Sequence, residues 1–174
     1  MFEFSGFFDF QVNGYAGVDF QQGSVSLEDI QRAVKKLRED GVDGVLVALI
    51  TDRMESIAAK LERFEWCRWK DPLVREVIRG YHIEGPYLSE QPGYCGAHQA
   101  ELMKDPDWTE FNRLWEVSNN NIRLVTVAPE RKGSALFIEK VVEQGVHVAL
   151  GHTDASRAEI RDAVSAGARF VTHL

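Results

Sequence analysis

Residues 145–174 read GVHVALGHTDASRAEIRDAVSAGARFVTHL. A Gly opens an apolar run over 146–150 that reads as a strand, and Gly151-His152-Thr153 follows it. Ser156 with Glu159 three residues on makes a capping box. Ile160, Ala163 and Val164 then share one helical face, predicted to point inward, and Gly167 marks the stop. A second apolar run over 169–173 ends in Thr172-His173-Leu174. The stretch is a complete strand–helix–strand unit with one histidine at the end of each strand.

The same unit recurs outward from there. Gly41-Val42-Asp43-Gly44-Val45-Leu46-Val47-Ala48 repeats the Gly-then-strand pattern, since Gly just past a helix takes the left-handed conformation other residues resist. Strands are predicted at 7–12, 43–49, 77–83, 122–127, 146–150 and 169–173. Between them lie helical patterns: Ser26 as cap with Leu27, Ile30, Val34 and Leu37 on one face, Ile57, Leu61 and Phe64 within 53–66, Phe111, Leu114 and Trp115 within 107–118, and a helix from Ser134 to Gly145. Alternating strands and helices, with strands apolar on both faces, predict a parallel sheet.

An open doubly wound sheet and part of a barrel both accommodate six such units. The polar residues at the strand ends decide between them. His82-Ile83-Glu84-Gly85-Pro86 places a carboxylate at the end of the third strand, where Gly85-Pro86 forces a turn. Glu84, His152 and His173, from the third, fifth and sixth strands, converge only if the sheet curls around one axis. The predicted fold is therefore α/β, a (β/α)8 TIM-type barrel with about six βα units present in 1–174.

Each of the three residues alone has a bland explanation, a capping or strand-end histidine or a salt-bridged glutamate. Together, one carboxylate and two imidazoles suit a catalytic divalent metal with an open position, zinc first, with iron, manganese or cobalt as alternatives. That combination points to a hydrolase. Alternation along the first strand puts Gln11 and Asn13 on one face, and amides are poor ligands for such ions, so they are expected to orient substrate or water. Asn13-Gly14 is also a plain turn signal.

Composition narrows the field further. A chain of 174 residues, 44% hydrophobic, supports one substantial core. Net charge of −7 and the lack of any Lys/Arg run argue against a nucleic-acid surface. Cys67 and Cys95 have neither metal-type nor disulfide-framework spacing, which fits a reducing cytosol. No apolar segment approaches the roughly 18 residues of a membrane span. A cytoplasmic protein without nucleic-acid or membrane partners is expected. The strand beginning near the start and the stop at Leu174 suggest an incomplete domain.

Six motifs taken together resemble a known family: Asp9-Phe10-Gln11-Val12-Asn13-Gly14, His82-Ile83-Glu84-Gly85-Pro86, Gly96-Ala97-His98, Val127-Ala128-Pro129-Glu130, Gly151-His152-Thr153-Asp154-Ala155 and Thr172-His173-Leu174. In this order they resemble the N-acetylglucosamine-6-phosphate deacetylases of the amidohydrolase superfamily. The resemblance implies that Glu84, His152 and His173 bind the metal, and that Gln11 and Asn13 replace the His-x-His pair of binuclear relatives. It implies that His98 contacts the acetyl carbonyl of an amino-sugar phosphate. It also implies an Asp general acid/base at an eighth strand beyond Leu174, a flanking β-sandwich and last two βα units absent from 1–174, and a homodimer. The loop 89–95 is slightly longer than the family pattern, which bears on the placement of His98.

Three other readings remain open at this level. The same metal and fold suit another N-acyl sugar or a cyclic amide. A fragment without its acid/base would bind metal and be catalytically inactive. Two His and a carboxylate also form the facial triad of non-haem iron oxygenases, although βα repeats are not the usual scaffold of those sites.

Overall fold

Short polar residues start the helices. Ser26, Asp71, Asp107 and Ser156 each accept a hydrogen bond from the backbone amide three residues on, satisfying a donor the helix itself leaves free. They open α1 (Leu27–Glu39), α3 (Pro72–Val77), α4 (Trp108–Val117) and α6 (Arg157–Ala166). The capping box of Ser156 and Glu159 is present in both directions, and Gly167 ends α6 at φ 119°. The remaining helices are α2 (Met54–Lys70) and α5 (Ser134–Glu143). Gly133, at φ 82°, caps α5, and Ser134 is its first helical residue.

The computed structural model describes residues 6–173; Leu174 of the last motif therefore lies outside the described residues. The sheet strands are β1 (Phe7–Val12), β4 (Val42–Ile50), β5 (Ile78–Glu84), β6 (Ile122–Val127), β7 (His147–Leu150) and β8 (Phe170–Val171). The short hairpin β2 (Gly14–Tyr15) and β3 (Val18–Asp19) follows β1. Every neighbouring pair in the six-stranded sheet is parallel, and the order across it is β1-β4-β5-β6-β7-β8. Each new strand adds to the same edge, so there is no reversal point of the kind a doubly wound sheet has.

The sheet also curls. Six strands laid flat would hold their outer members about 24 Å apart at the usual spacing. Yet Phe10 on β1 and Phe170 on β8 have ring centroids 6.3 Å apart, and Gln11 Nε2 is 3.4 Å from His173 Nε2. This is a half-barrel, consistent with a partial (β/α)8 amidohydrolase barrel.

Strand alternation then sorts the side chains. Val45, Val47, Leu49, Tyr81, Ile83, Val125, Val127 and Val148 point outward into the main core beneath the helices. Leu46, Leu124 and Ala149 form a separate cluster on the concave face. His82 and Glu84 share the parity of that inner face. On β1 the pairing counts Asp9 to Val12 against only Val45 to Val47 on β4, a bulge. The extra residue re-phases the strand, so Phe10 and Gln11 both face inward while Val12 joins the outer core.

Some expectations shift. The strand predicted at 169–173 is Phe170–Val171, with His173 just beyond it. The helix within 53–66 continues to Lys70, and α3 and the β2–β3 hairpin add to the predicted elements. Ile160 and Val164 do not point into a core: they are 40% and 48% exposed, and of that face only Ala163 is buried. Among the described residues no helix is long and apolar enough to cross a membrane.

Candidate metal centre

Glu84 ends β5 with its carboxylate almost completely buried, 2% exposed. Gly85 follows at φ 99°, a conformation that turns the chain at once. Burial by itself would raise the Glu84 pKa, but the facing His82, His98 and His173 outweigh it and hold the carboxyl below its usual value. A buried anion of this kind needs partners.

Those partners are imidazoles. Glu84 Oε1 lies 2.9 Å from His173 Nε2, 3.2 Å from His152 Nε2 and 3.9 Å from His98 Nε2. The other oxygen, Oε2, accepts a 2.9 Å hydrogen bond from Gln11 Nε2. One ligand atom each from Glu84, His98 and His152 lies within 4.8 Å of the others, and His173 is nearer to the carboxylate than either histidine of that group. The rings interlock: His98 meets His152 edge to face at 4.5 Å, and His152 meets His173 at 5.0 Å.

Both strand-end histidines have left-handed backbones, His152 at φ 50° and His173 at φ 58°. For a residue with a Cβ this conformation costs on the order of 1–3 kcal/mol and gathers at functional sites. Gly151 allows the two turns to nest, because a Cβ there would sit 2.8 Å from the Thr172 carbonyl oxygen. Beneath the cluster, Thr126 Oγ1 bonds His82 Nε2 at 2.7 Å and Thr172 Oγ1 at 2.9 Å. This buried chain ties the ends of β5 and β6 to the turn after β8. Burial pushes the His82 pKa down to about 4, so that ring is neutral at physiological pH.

The loop before η1 (Ala100–Leu102) closes over His152. His152 Nδ1 lies 3.0 Å from the Tyr94 carbonyl, which can only accept, so Nδ1 carries a proton and Nε2, turned to Glu84, is the nitrogen that would give its lone pair to a cation bound between them. That is the tautomer a metal ligand needs. A Cβ on Gly96 would come within 3.1 Å of the His152 ring, and Gly96 sits at φ 60°, so glycine lets this loop approach the ring without pushing it aside. Thr153 Oγ1 and the Asp154 amide both donate to Glu130, fixing the turn after His152 from the turn that follows β6.

The sequence-derived residues thus meet, with one exception. Glu84, His152, His173, His98 and Gln11 come together in one cluster at the C-terminal ends of the strands. Asn13 turns to the neighbouring strand instead: its amide donates to the Ala48 carbonyl at 3.4 Å. Sequence reading missed Thr51, whose hydroxyl is 2.8 Å from His98 Nδ1, and the Tyr94 carbonyl. A backbone acceptor leaves no signal in residue type. A His/His/Glu cluster around a buried carboxylate suits a divalent cation, and the residues fit one.

No protein-family model matches the chain. Among curated proteins, it is 34% identical over 168 residues to an N-acetylgalactosamine-6-phosphate deacetylase of Escherichia coli O157:H7, covering 96% of this chain and 43% of that one. It is 31% identical over 171 residues to the N-acetylglucosamine-6-phosphate deacetylase of Bacillus subtilis (strain 168), covering 97% and 42%. The chain closely resembles the N-acetylglucosamine-6-phosphate deacetylases. Among solved structures, the Mycobacterium smegmatis N-acetyl-D-glucosamine-6-phosphate deacetylase superposes with a TM-score of 0.86 at 35% identity, over 98% of this chain and 42% of that one. That relative carries an Asp-to-Ala substitution and is in complex with N-acetyl-D-glucosamine-6-phosphate. The chain therefore spans less than half the length of the deacetylases it matches, and the part it matches is the part that carries this cluster.

Proposed function

We propose that the protein carrying this chain hydrolyses the acetamide of an N-acetylhexosamine 6-phosphate, N-acetylglucosamine 6-phosphate foremost, to acetate and the free amino sugar phosphate. The observation that carries the reading is the convergence of imidazole Nε2 atoms on one buried oxygen of Glu84. The similarity to deacetylases supplies the substrate class. One relative acts, by its name, on the galactosamine epimer, so both epimers belong in the assay.

Glu84, His152 and His173 would hold one divalent ion, with zinc the best match to nitrogen and oxygen donors. Such an ion supplies Lewis acidity and brings the pKa of water down to about 7. Gln11 keeps the Glu84 carboxylate oriented through Oε2, leaving Oε1 toward the histidines. His98 is buried against the cluster, where burial lowers its pKa and keeps the ring neutral. It is placed to donate a hydrogen bond to the acetyl carbonyl oxygen as negative charge builds there. Proton delivery to the leaving amine is assigned, by resemblance, to an aspartate of an eighth strand outside 1–174. The remaining elements follow the same reading: the 174 residues as the first six units of an eight-unit barrel, a homodimer, and the cytoplasm as the compartment.

The test measures acetate release and bound metal together. Glu84→Gln and His152→Ala are each expected to abolish both. A variant that loses its metal yet keeps full activity would sink the assignment.

A further inference from the structure

His98 and His152 touch ring to ring, yet their outer nitrogens face opposite chemistry. The Nδ1 of His152 meets a carbonyl. The Nδ1 of His98 meets Thr51 instead: the hydroxyl at 2.8 Å and the backbone N–H at 3.4 Å. A backbone N–H is a donor and nothing else, so the nitrogen turned toward it is a lone pair. The hydroxyl, free to rotate, then donates to the same nitrogen. A neutral imidazole has one N–H, and in His98 this leaves it on Nε2, the atom aimed into the site 3.9 Å from Glu84 Oε1.

We propose that Thr51 is a positioning residue that assigns His98 its task. By holding the ring in the Nε2–H tautomer it makes His98 a hydrogen-bond donor to bound substrate and denies it to the metal as a ligand. His98 and His152 are thereby given complementary roles by what lies behind each ring. Thr51 stands directly after β4 and is only 5% exposed, so water does not compete for its hydroxyl. The neighbouring backbone is shaped around that hydroxyl. A Cβ on Gly85 would fall 2.0 Å from Thr51 Oγ1, so the residue after Glu84 is one that leaves the hydroxyl its place. The donor role of His98 toward substrate rests on the deacetylase reading above; the tautomer itself does not.

The experiment has two readouts. Long-range proton–nitrogen NMR on 15N-histidine protein reports each ring's tautomer, with the His98 signals identified by their loss in His98→Gln. His98 is expected as Nε2–H, Thr51→Val is expected to lose that preference, and Thr51→Ser to keep it. A wild-type His98 protonated on Nδ1, or an unchanged tautomer in Thr51→Val, overturns the proposal. In the acetate assay, Thr51→Val is expected to lower kcat about 10–100-fold at unchanged zinc affinity, with Thr51→Ser restoring it. Zinc affinity falling in step with kcat would make His98 a ligand and overturn it as well. A wild-type protein inactive on both sugar phosphates would defeat the deacetylase reading while the NMR result still decided the role of Thr51.

Discussion

Gly151→Ala isolates the geometry on which the metal centre depends. The backbone of Gly151 is not left-handed, so alanine brings no conformational penalty of that kind and acts through contact alone. Its Cβ would lie 2.8 Å from both Cβ and the carbonyl oxygen of Thr172, and 3.1 Å from Thr126 Cγ2. Carbon contacts settle at about 3.5–4.0 Å, so the turn carrying Thr172 has to retreat by about 0.7 Å or more. It cannot swing freely, because Thr172 is tied to Thr126 at 2.9 Å and its amide to the Leu150 carbonyl at 2.9 Å. Overpacking of this sort costs about 1–3 kcal/mol. At about 2–4 °C per kcal/mol for a domain of this size, the metal-free Tm should fall by about 2–12 °C. His173 is the next residue, and its Nε2 now lies 2.9 Å from Glu84 Oε1. Disturbing the support of a ligand typically costs about 10–100-fold in metal affinity. Zinc titration calorimetry beside thermal unfolding of the metal-free protein separates the two effects. His98→Ala, in contrast, should leave zinc affinity near wild type. A Gly151→Ala protein with unaltered Tm and zinc affinity would show that Thr172 does not press against this turn, and the placement of His173 would fall with it.

Further outcomes follow from other parts of the molecule. Tyr81 is fully buried and donates a 2.6 Å hydrogen bond to Glu65, so Tyr81→Phe should cost about 1.5–3 kcal/mol in urea unfolding; a loss under about 0.5 kcal/mol would contradict a charged acceptor there. Ser156→Ala removes the hydroxyl that accepts from the Glu159 amide, leaving only the reverse bond of the α6 capping box, and should cost about 1 kcal/mol without changing zinc affinity, as thermal unfolding and calorimetry would show. The concave face and its edges expose Phe8, Phe10, Phe170 and Val171, so the 174-residue chain should self-associate; sedimentation giving a single monomer across concentration would count against this.

What the sequence made legible, and what it hid, divides along physical lines. Strand ends, helix starts and helix stops are local events written in residue type. Gly41, Gly145 and Gly167 are left-handed, and the caps of α1 and α6 are where Ser26 and Ser156 predict them. Hence Glu84, His152 and His173 could be placed at strand ends and the sheet argued closed around them. Helical period is weaker evidence, since it says which residues share a face but not what lies against it. Ile160 and Val164 share their face with Ala163 and remain half exposed. The β1 bulge is hidden for a related reason: strict alternation puts Phe10 and Gln11 on opposite faces, and only the register against β4 shows the extra residue that lets both face inward.

The groups that set tautomers were the least legible of all. Thr51 looks like any Thr at a strand end, and its partner is 47 positions away. The Tyr94 carbonyl has no identity in sequence. Yet these two atoms distinguish a ring that offers a lone pair from one that offers a proton. Residue type brings four histidines and a glutamate to the inner face of the curled sheet. What each imidazole can do there is decided one hydrogen bond further out: a carbonyl frees His152 Nε2 to bind a cation, a hydroxyl and an amide turn His98 into a donor, and Thr126 holds His82 in the strand framework beneath. Replacing a histidine removes a function outright, whereas changing its outer partner exchanges one function for another. Mutations at Thr51 are for that reason the sharper probe of how this site works.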